Sequence, residues 1–523
     1  MGALHDALIA EREGRFLDAF GLAHTALAQA PNDPDTLNVL GRMCYLGGDL
    51  TSAIGLQQHA LRLAPQHPRA VHDLDAALAA IPSPKEGRDA LLAAYARAPD
   101  IAVHHQAPGS LPPLAAFDEV HALIERAIHL NPSLAQAHAA LGNLYVRSGR
   151  YEAALLAYRR GLLLEPDDAH MHLALAEIAY ESGDEASAQG HRVAALARRR
   201  LFSTPVQATS ATASVLVLAF PGAWSRNVCL DFMLDPARTI VHRLYLTDER
   251  FDSACPLPTY DVVFNAIGEA QAAQPFIAAA GRFIAAQGKP ALNLPEHLAK
   301  TARPALAGAL SGVAGCTLPK TVRRERAALG DLSGSMHAIG GIAFPLLIRP
   351  ADAHGGDGLE RLGDVDQIGD YLARNPSERF DLSAFVDYSD PDGFYRKYRV
   401  IFVDGTPYPY HLAIAPEWMV HYRTSPMAEH AWMRDEEARF LAGPHALFPH
   451  WDRTFGAVAA AIGLEYFGID CARTQDGGVL IFEADAATWI HNRDRSGLFA
   501  YKARYVERIF SAVEAMFARR AGG

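Results

Sequence analysis

Apolar and polar positions alternate with two different periods along the chain, and the change falls near residue 205. Up to Arg200 the apolar residues recur every three to four positions, which predicts amphipathic helices. The helices repeat as well. Ala30-Pro31 returns as Ala64-Pro65 and Asn131-Pro132 as Glu165-Pro166, both 34 residues apart, and Leu40-Gly41 with Gly48 and Ala53 is echoed by Leu141-Gly142 with Gly149 and Ala154. A period of this length with small residues at fixed places predicts helix pairs: Gly41, Gly142 and Ala176 where helices touch, Gly48, Gly149 and Gly183 in tight turns, and prolines opening each next unit. Clear pairs are expected over 1–31, 32–65, 132–165 and 166–200, with a degenerate middle over 66–130 that carries the proline-rich stretch 104–113. Residues 202–213, rich in Ser, Thr and Ala, read as a linker.

Beyond the linker, short apolar runs replace the helical period. Strands are predicted at 214–220, 239–246, 261–266 and 291–294, with a helix at 271–287 among them, which is the alternation of a parallel α/β sheet. Further strands are predicted at 343–349, 381–387, 396–403 and 408–414, then a helix at 451–462. A hairpin of 466–473 and 478–484, closed by Asp476-Gly477, follows. Length supports several cores, since 523 residues at about 150 per domain is three to four units.

Composition then narrows the function. Half the residues are apolar and 20% charged, which is globular composition, and 48 Lys+Arg against 59 Asp+Glu leave a net charge of −11 that disfavours nucleic acid and anionic membranes as partners. No apolar run approaches the roughly 18 residues of a membrane span. The N-terminus lacks a basic region followed by an apolar run, and Asp6 stands where a myristoylation signal needs Ser or Thr, so a cytoplasmic location is expected. Five scattered cysteines without a Cys-x-x-Cys pair predict small buried hydrophobes rather than disulfides or a zinc site. No Gly-x-x-x-x-Gly-Lys-Ser loop or Gly-x-Ser-x-Gly elbow is present.

Three carboxylates carry the sharpest chemical signal. Glu483 and Asp485 alternate onto one face of a strand, and the hairpin brings Asp470 of the partner strand beside them, a costly arrangement unless a cation neutralises it. Lys397 and Arg399 likewise share one face of their strand, opposite Tyr398 and Val400.

The repeats resemble tetratricopeptide repeats, and residues 214–520 resemble an ATP-grasp domain of the glutathione synthetase and D-Ala-D-Ala ligase kind. The second resemblance rests on Gly468-Ile469-Asp470 followed by Glu483-Ala484-Asp485, on Phe344-Pro345-Leu346-Leu347-Ile348-Arg349-Pro350, and on the glycine-rich stretch Ala353-His354-Gly355-Gly356-Asp357-Gly358. It implies a multidomain protein: an all-α solenoid over 1–201, a linker over 202–213, an α/β pre-ATP-grasp domain over 214–303 and an α+β ATP-grasp domain over 304–523. It implies ATP with Mg²⁺, or Mn²⁺ in its place, the metal at Asp470, Glu483 and Asp485. Arg303 and Arg349 would then replace the family's phosphate lysines, with Lys300 as an alternative to Arg303. Gly355, Gly356 and Gly358 would close over phosphate, the backbone at Phe385 would pair with adenine, and Asp387 or Asp390 would hold the ribose. Arg399 and Arg349 would act on the transferred phosphate. The implied activity is ATP-dependent joining of a carboxylate and an amine through an acyl-phosphate, with a peptide or protein on the concave face of the repeats. The competing expectation, raised by the two arginines at lysine positions, is a nucleotide-binding scaffold without turnover. Homo-oligomer formation stays open.

Overall fold

The structure is a computed structural model that describes residues 2–98, 116–204, 211–222, 226–235, 237–247, 256–268, 273–330, 339–351, 353, 356–422, 424–492 and 497–522. The chain divides into two compact units, Met1–Arg200 and Leu201–Gly523, fewer than length alone suggests because the second unit gathers three sheets.

The first unit is entirely helical among the described residues. Its helices are α1 (Ala3–Arg12), α2 (Phe16–Gln29), α3 (Pro34–Leu46), α4 (Leu50–Leu63), α5 (Pro68–Ala79), α6 (Pro84–Arg97), α7 (Phe117–Leu130), α8 (Ala135–Arg147), α9 (Tyr151–Leu164), α10 (Ala169–Glu181) and α11 (Glu185–Arg198). The expected helix pairs are present, and the degenerate middle forms α5, α6 and α7, while the stretch 104–113 lies outside the described residues. Gly48, Gly149 and Gly183 all adopt left-handed φ (+84°, +74° and +80°), the conformation the inter-helix turns require. Asp33, Asp49, Asp168 and Asp184 cap α3, α4, α10 and α11 by accepting a hydrogen bond from a backbone N–H of the first turn.

One contact departs from a simple open solenoid. Helix α4 packs directly on α9, so α1–α5 and α6–α11 are two short stacks joined through these helices. Gly55 makes the approach, because a Cβ there would stand 2.7 Å from the Leu163 Cβ. Thr51 of α4 also donates from its hydroxyl to the Pro132 carbonyl at 3.1 Å, tying the start of α4 to the loop before α8.

The second unit runs β1 (Leu201–Ser203), β2 (Ala213–Ala219), β3 (Thr239–Tyr245), β4 (Val262–Asn265), α12 (Gln274–Gln287), β5 (Ala291–Leu292), α13 (Pro295–Leu298), α14 (Arg303–Ala309), β6 (Cys316–Thr317) and β7 (Thr321–Glu325). It continues through α15 (Arg326–Gly330), β8 (Leu346–Pro350), β9 (Glu360–Leu362), α16 (Asp366–Arg374), β10 (Arg379–Ala384), β11 (Tyr395–Val403), β12 (Thr406–Ala415), α17 (Ala431–Ala442), α18 (Trp451–Ile462), β13 (Tyr466–Arg473), β14 (Val479–Asp485) and α19 (Ala503–Ala521).

Its first sheet has the order β1-β3-β2-β4-β5, with β3, β2, β4 and β5 parallel, as the buried Val/Leu/Ile runs predict. The linker reading fails at one end: Leu201–Ser203 is an edge strand antiparallel to β3. Phe202 packs edge-on against Tyr245, and the Ser203 hydroxyl lies 2.7 Å from His242 Nδ1, so this short polar-looking stretch is tied to the sheet. The other two sheets are mostly antiparallel, β7-β10-β8-β9 and β12-β11-β13-β14-β6. The hairpin of β13 and β14 closes at Asp476-Gly477 as predicted, with Gly477 at φ +83°.

Among the described cysteines, Cys44, Cys229 and Cys471 are buried and Cys316 is half-buried, all as free thiols, and Cys255 lies outside the described residues. Burial pushes the Cys44 and Cys316 thiols up to about 11, which suits packing and not nucleophilic chemistry.

Candidate functional site

The cleft of the second unit lies between the last two sheets. One wall is apolar and comes from Leu306 and Ala307 of α14, Leu318 and Pro319 after β6, Leu347 of β8, Ala384 and Phe385 at the end of β10, and Ile481 of β14. The other part is charged: Arg303, Arg349, Lys397 and Arg399 face Asp470 and Glu483.

Strand register explains this cluster. β11 pairs with β13 so that Arg399 lies opposite Asp470, and β13 pairs with β14 so that Asp470 lies opposite Glu483. The two-residue alternation of β11 puts Lys397 beside Arg399, and both reach the same carboxylate. Arg399 donates to the two Asp470 oxygens at 2.6 and 2.9 Å, and Lys397 Nζ is 2.9 Å from Oδ2. Burial alone would raise the Asp470 carboxyl, but Arg399 and Lys397 outweigh it and hold the group well below the usual carboxylate range. Burial opposes and Asp470 reinforces the charge on Arg399, whose ionised form is held still more firmly than usual. Arg303, at the start of α14, donates to Glu483 Oε2 at 3.2 Å. Burial and Asp470 push the Glu483 carboxyl up, while Arg303, Lys397 and Arg349 pull it further down, so it stays ionised.

Arg349, the penultimate residue of β8, lies opposite Asp381 of β10. Asp381 is already matched by a bidentate pair from Arg323 of β7, at 2.7 and 2.8 Å, and Arg349 donates to the Ala353 carbonyl at 2.6 Å. Its Nε is buried without a partner. Burial and the neighbouring Arg303 lower the guanidinium to about 10, so this cation stands in the cleft with an unmet demand for anions.

Lys300, the alternative to Arg303, is excluded from the cleft by its own contacts. Its ammonium donates to the Ala461 and Ile462 carbonyls, 3.0 and 3.1 Å away, at the C-terminal end of α18. Asn293 fixes this region, since its side chain bonds the backbone of Tyr466 through both its amide atoms and so fastens the end of β5 to the start of β13.

The glycine stretch is only partly in place. Gly356, at φ +91°, lines the cleft against His421, whereas Gly355 lies outside the described residues. Gly358 does not reach the cleft and instead accepts from the Tyr371 hydroxyl at 2.6 Å. Phe385 does line it, with the Arg361 guanidinium 4.0 Å from its ring centre and Trp418 in T-shaped contact with it. Asp387 and Asp390 are not among the cleft residues: Asp387 is exposed and accepts from the Ser389 N–H, while Asp390 pairs with Arg396 and Arg473.

The three carboxylates expected to hold magnesium have other partners. Asp470 has both oxygens committed to cations, Glu483 is paired with Arg303, and the exposed Asp485 accepts from the Ala487 N–H at 2.8 Å. Among the described residues, no group of three or more His, Cys, Asp or Glu side chains is placed to hold a metal ion. Cations of β11 and α14 offset the repulsion between Asp470 and Glu483. Lys397 was legible from strand alternation. Trp418 and His421 also line the cleft, and no periodicity marks the loop that carries them.

Family models place the first unit. A tetratricopeptide-repeat model matches residues 7–68 and 120–162, and a further TPR-repeat model matches 142–183. The first unit is a tetratricopeptide-repeat array. No curated protein matches the chain. Similar solved structures include an ATP-grasp RimK domain protein from Sphaerobacter thermophilus, at 13% identity and TM-score 0.35 over 60% of this chain and 100% of that one. They also include the VanG D-Ala:D-Ser ligase of Enterococcus faecalis, at 12% identity and TM-score 0.35 over 58% and 99%. A third is the ATP-grasp ligase PsnB, solved with a phosphomimetic variant of a minimal precursor, Mg and ADP, at 14% identity and TM-score 0.33 over 58% and 98%. Among the described residues no helix is long and apolar enough to cross a membrane.

Proposed function

We propose that Leu201–Gly523 is an ATP-dependent ligase that joins a carboxylate to an amine. The observation that carries this reading is the continuity of the cleft: an apolar slot bounded by Leu306, Leu347, Phe385 and Ile481 leads directly to Arg303, Arg349, Lys397 and Arg399. A purine suits the first part and a polyphosphate the second, where Arg349 has a buried unpartnered Nε. In the proposed reaction a substrate carboxylate oxygen attacks the γ-phosphorus, the bond to the β-phosphate oxygen breaks, and ADP departs with the electron pair. An amine nitrogen then attacks the acyl carbon and phosphate leaves, the amine giving up its proton to solvent. The chain's own cations align the phosphates and neutralise charge that grows as these bonds break. Magnesium receives no side-chain assignment and no step here.

The test is an assay with ATP, a panel of amino acids and peptides, and hydroxylamine as the amine. ADP and a hydroxamate should appear together, and Arg349→Met should remove both. Absence of ADP with every carboxylate would refute turnover.

A second reading, a nucleotide-binding scaffold for the repeat array, is favoured by the full neutralisation of Asp470 without a metal cage. It predicts a thermal shift with ATP but no ADP, and at about a hundred times the dissociation constant that shift corresponds to about 2.7 kcal/mol. For the first unit we propose recognition of a peptide or protein partner, as repeat arrays of this kind provide.

A further inference from the structure

Among the described residues that line the cleft, few groups can take up a proton near neutral pH, and all but one are engaged elsewhere. Asp470 and Glu483 are ionised and tied to Arg399, Lys397 and Arg303, and Asp381 is matched by Arg323. The Tyr388 hydroxyl donates to the Trp418 carbonyl at 2.5 Å, and the Thr321 and Ser383 hydroxyls bond each other at 2.8 Å. The arginines hold their protons throughout. The exception is His421. Among the described residues neither of its ring nitrogens has a hydrogen-bond partner, and a neutral imidazole keeps one lone pair for a proton.

The ring is placed in the cleft and held there. Its Nε2 lies against Gly356, so closely that a Cβ on that glycine would collide with it, and both residues line the cleft. The loop that carries His421 is fastened beside it. The His421 carbonyl accepts from the Ser425 N–H at 2.8 Å and from the Ser425 hydroxyl at 2.7 Å. The ring of the next residue, Tyr422, packs 4.7 Å from that of His411, and its hydroxyl accepts from the Lys502 ammonium at 2.6 Å. Burial lowers the proton affinity of the His421 ring, and Lys397 of β11 and Arg349 of β8 add to this against opposing pulls from Glu483 of β14 and Asp470 of β13. The ring is therefore neutral near pH 7. A triphosphate beside Lys397 and Arg349 would cancel part of the positive field and return basicity to the ring once the cleft is loaded.

We infer that His421 is the catalytic base of the ligation step, accepting the proton that the amine nitrogen releases as it attacks the acyl carbon. The inference rests on the ligase reading of this cleft. The nitrogen lone pair forms the C–N bond, the bond from the acyl carbon to the phosphate oxygen breaks, and phosphate leaves with that electron pair. The N–H proton passes to the free lone pair of the imidazole. Because the ring is only half-buried, water then takes the proton from it and restores the neutral form.

The test compares two amines on the full chain, each with ATP and the carboxylate that releases most ADP: hydroxylamine, and the most reactive amino acid of the panel. An α-amine has a pKa of about 8 and must shed a proton at neutral pH, whereas hydroxylamine is already unprotonated there and depends less on a base. His421→Ala and His421→Gln should both lower amide formation about a hundredfold or more, the scale of a lost general base, and hydroxamate formation by less than about tenfold. Imidazole added to the alanine variant should restore part of the amide rate, and the thermal shift with ATP should persist in both variants. Equal losses with the two amines, no gain from imidazole, or loss of the ATP shift, which would make His421 a phosphate ligand, would each overturn the inference. No ADP from the natural chain with any carboxylate would instead refute the ligase reading, and this inference with it.

Discussion

Replacing Asp470 with Asn distinguishes a carboxylate held for neutralisation from one held for a metal. The substitution keeps the shape and one acceptor oxygen but removes the charge that matches Arg399 and Lys397, at contacts of 2.6 to 2.9 Å. The aspartate side chain is 2% exposed, against 27% for Arg399 and 16% for Lys397, so water compensates the cations only partly. Removing one partner of a buried pair typically costs 3–5 kcal/mol, and the retained acceptor places Asp470→Asn near the lower end, about 3 kcal/mol. In a unit of this size that is a fall in Tm of about 5 °C or more, readable by calorimetry on the full chain. Stability should also change its pH dependence. The folded-state carboxyl is depressed, so the unfolded chain binds the proton more readily, and the pair's contribution is complete above the unfolded value near 4 and fades as pH falls below it. The variant should lack that acid-side increment. Nucleotide is the decisive probe: phosphates would replace the missing negative charge, so ATP should raise the Tm of Asp470→Asn at least as much as that of the natural chain, with EDTA present. A variant equal in stability to the natural chain, or one whose ATP shift is lost, would refute the neutralisation argument.

Gly55→Ala should destabilise by about 1–3 kcal/mol through overpacking against Leu163, although alanine is the better helix former, whereas Gly21→Ala in α2, with open space around it, should gain up to about 1 kcal/mol; paired urea melts check the contrast. Arg323→Met leaves the Asp381 carboxylate, 1% exposed, without its bidentate partner, and should cost about 3–5 kcal/mol in the same melts. A chain beginning at Leu201 should melt several degrees above one beginning at Thr212, because only the longer one keeps β1 and its Ser203–His242 and Thr204–Val241 bonds, each worth about 1 kcal/mol.

Elements that answer to a local pattern were readable from the chain. The helix pairs follow from a 34-residue repeat, and β2, β3 and β4 follow from continuous apolar runs, because both signals sit within a few neighbouring residues. β7 and β9 were missed for the opposite reason: Thr321–Glu325 carries two arginines and Glu360–Leu362 is three residues long, so their strand character comes from β10 and β8 beside them. Helix α17 shows weak periodicity and is fixed by its buried Glu437, which accepts from the Leu412 N–H of β12. The site divides along the same line. Alternation put Lys397 and Arg399 on one face and the hairpin put Asp470 opposite Glu483, both local facts. What those groups do to each other depends on β11 lying next to β13, a pairing across about 70 residues that no spacing encodes. β13 and β14 alone present an acidic cluster, and β11 adds the two cations that face Asp470. Charge in a sheet is a property of three strands, so a motif confined to two of them fixes which groups meet but not which proton, cation or phosphate they hold.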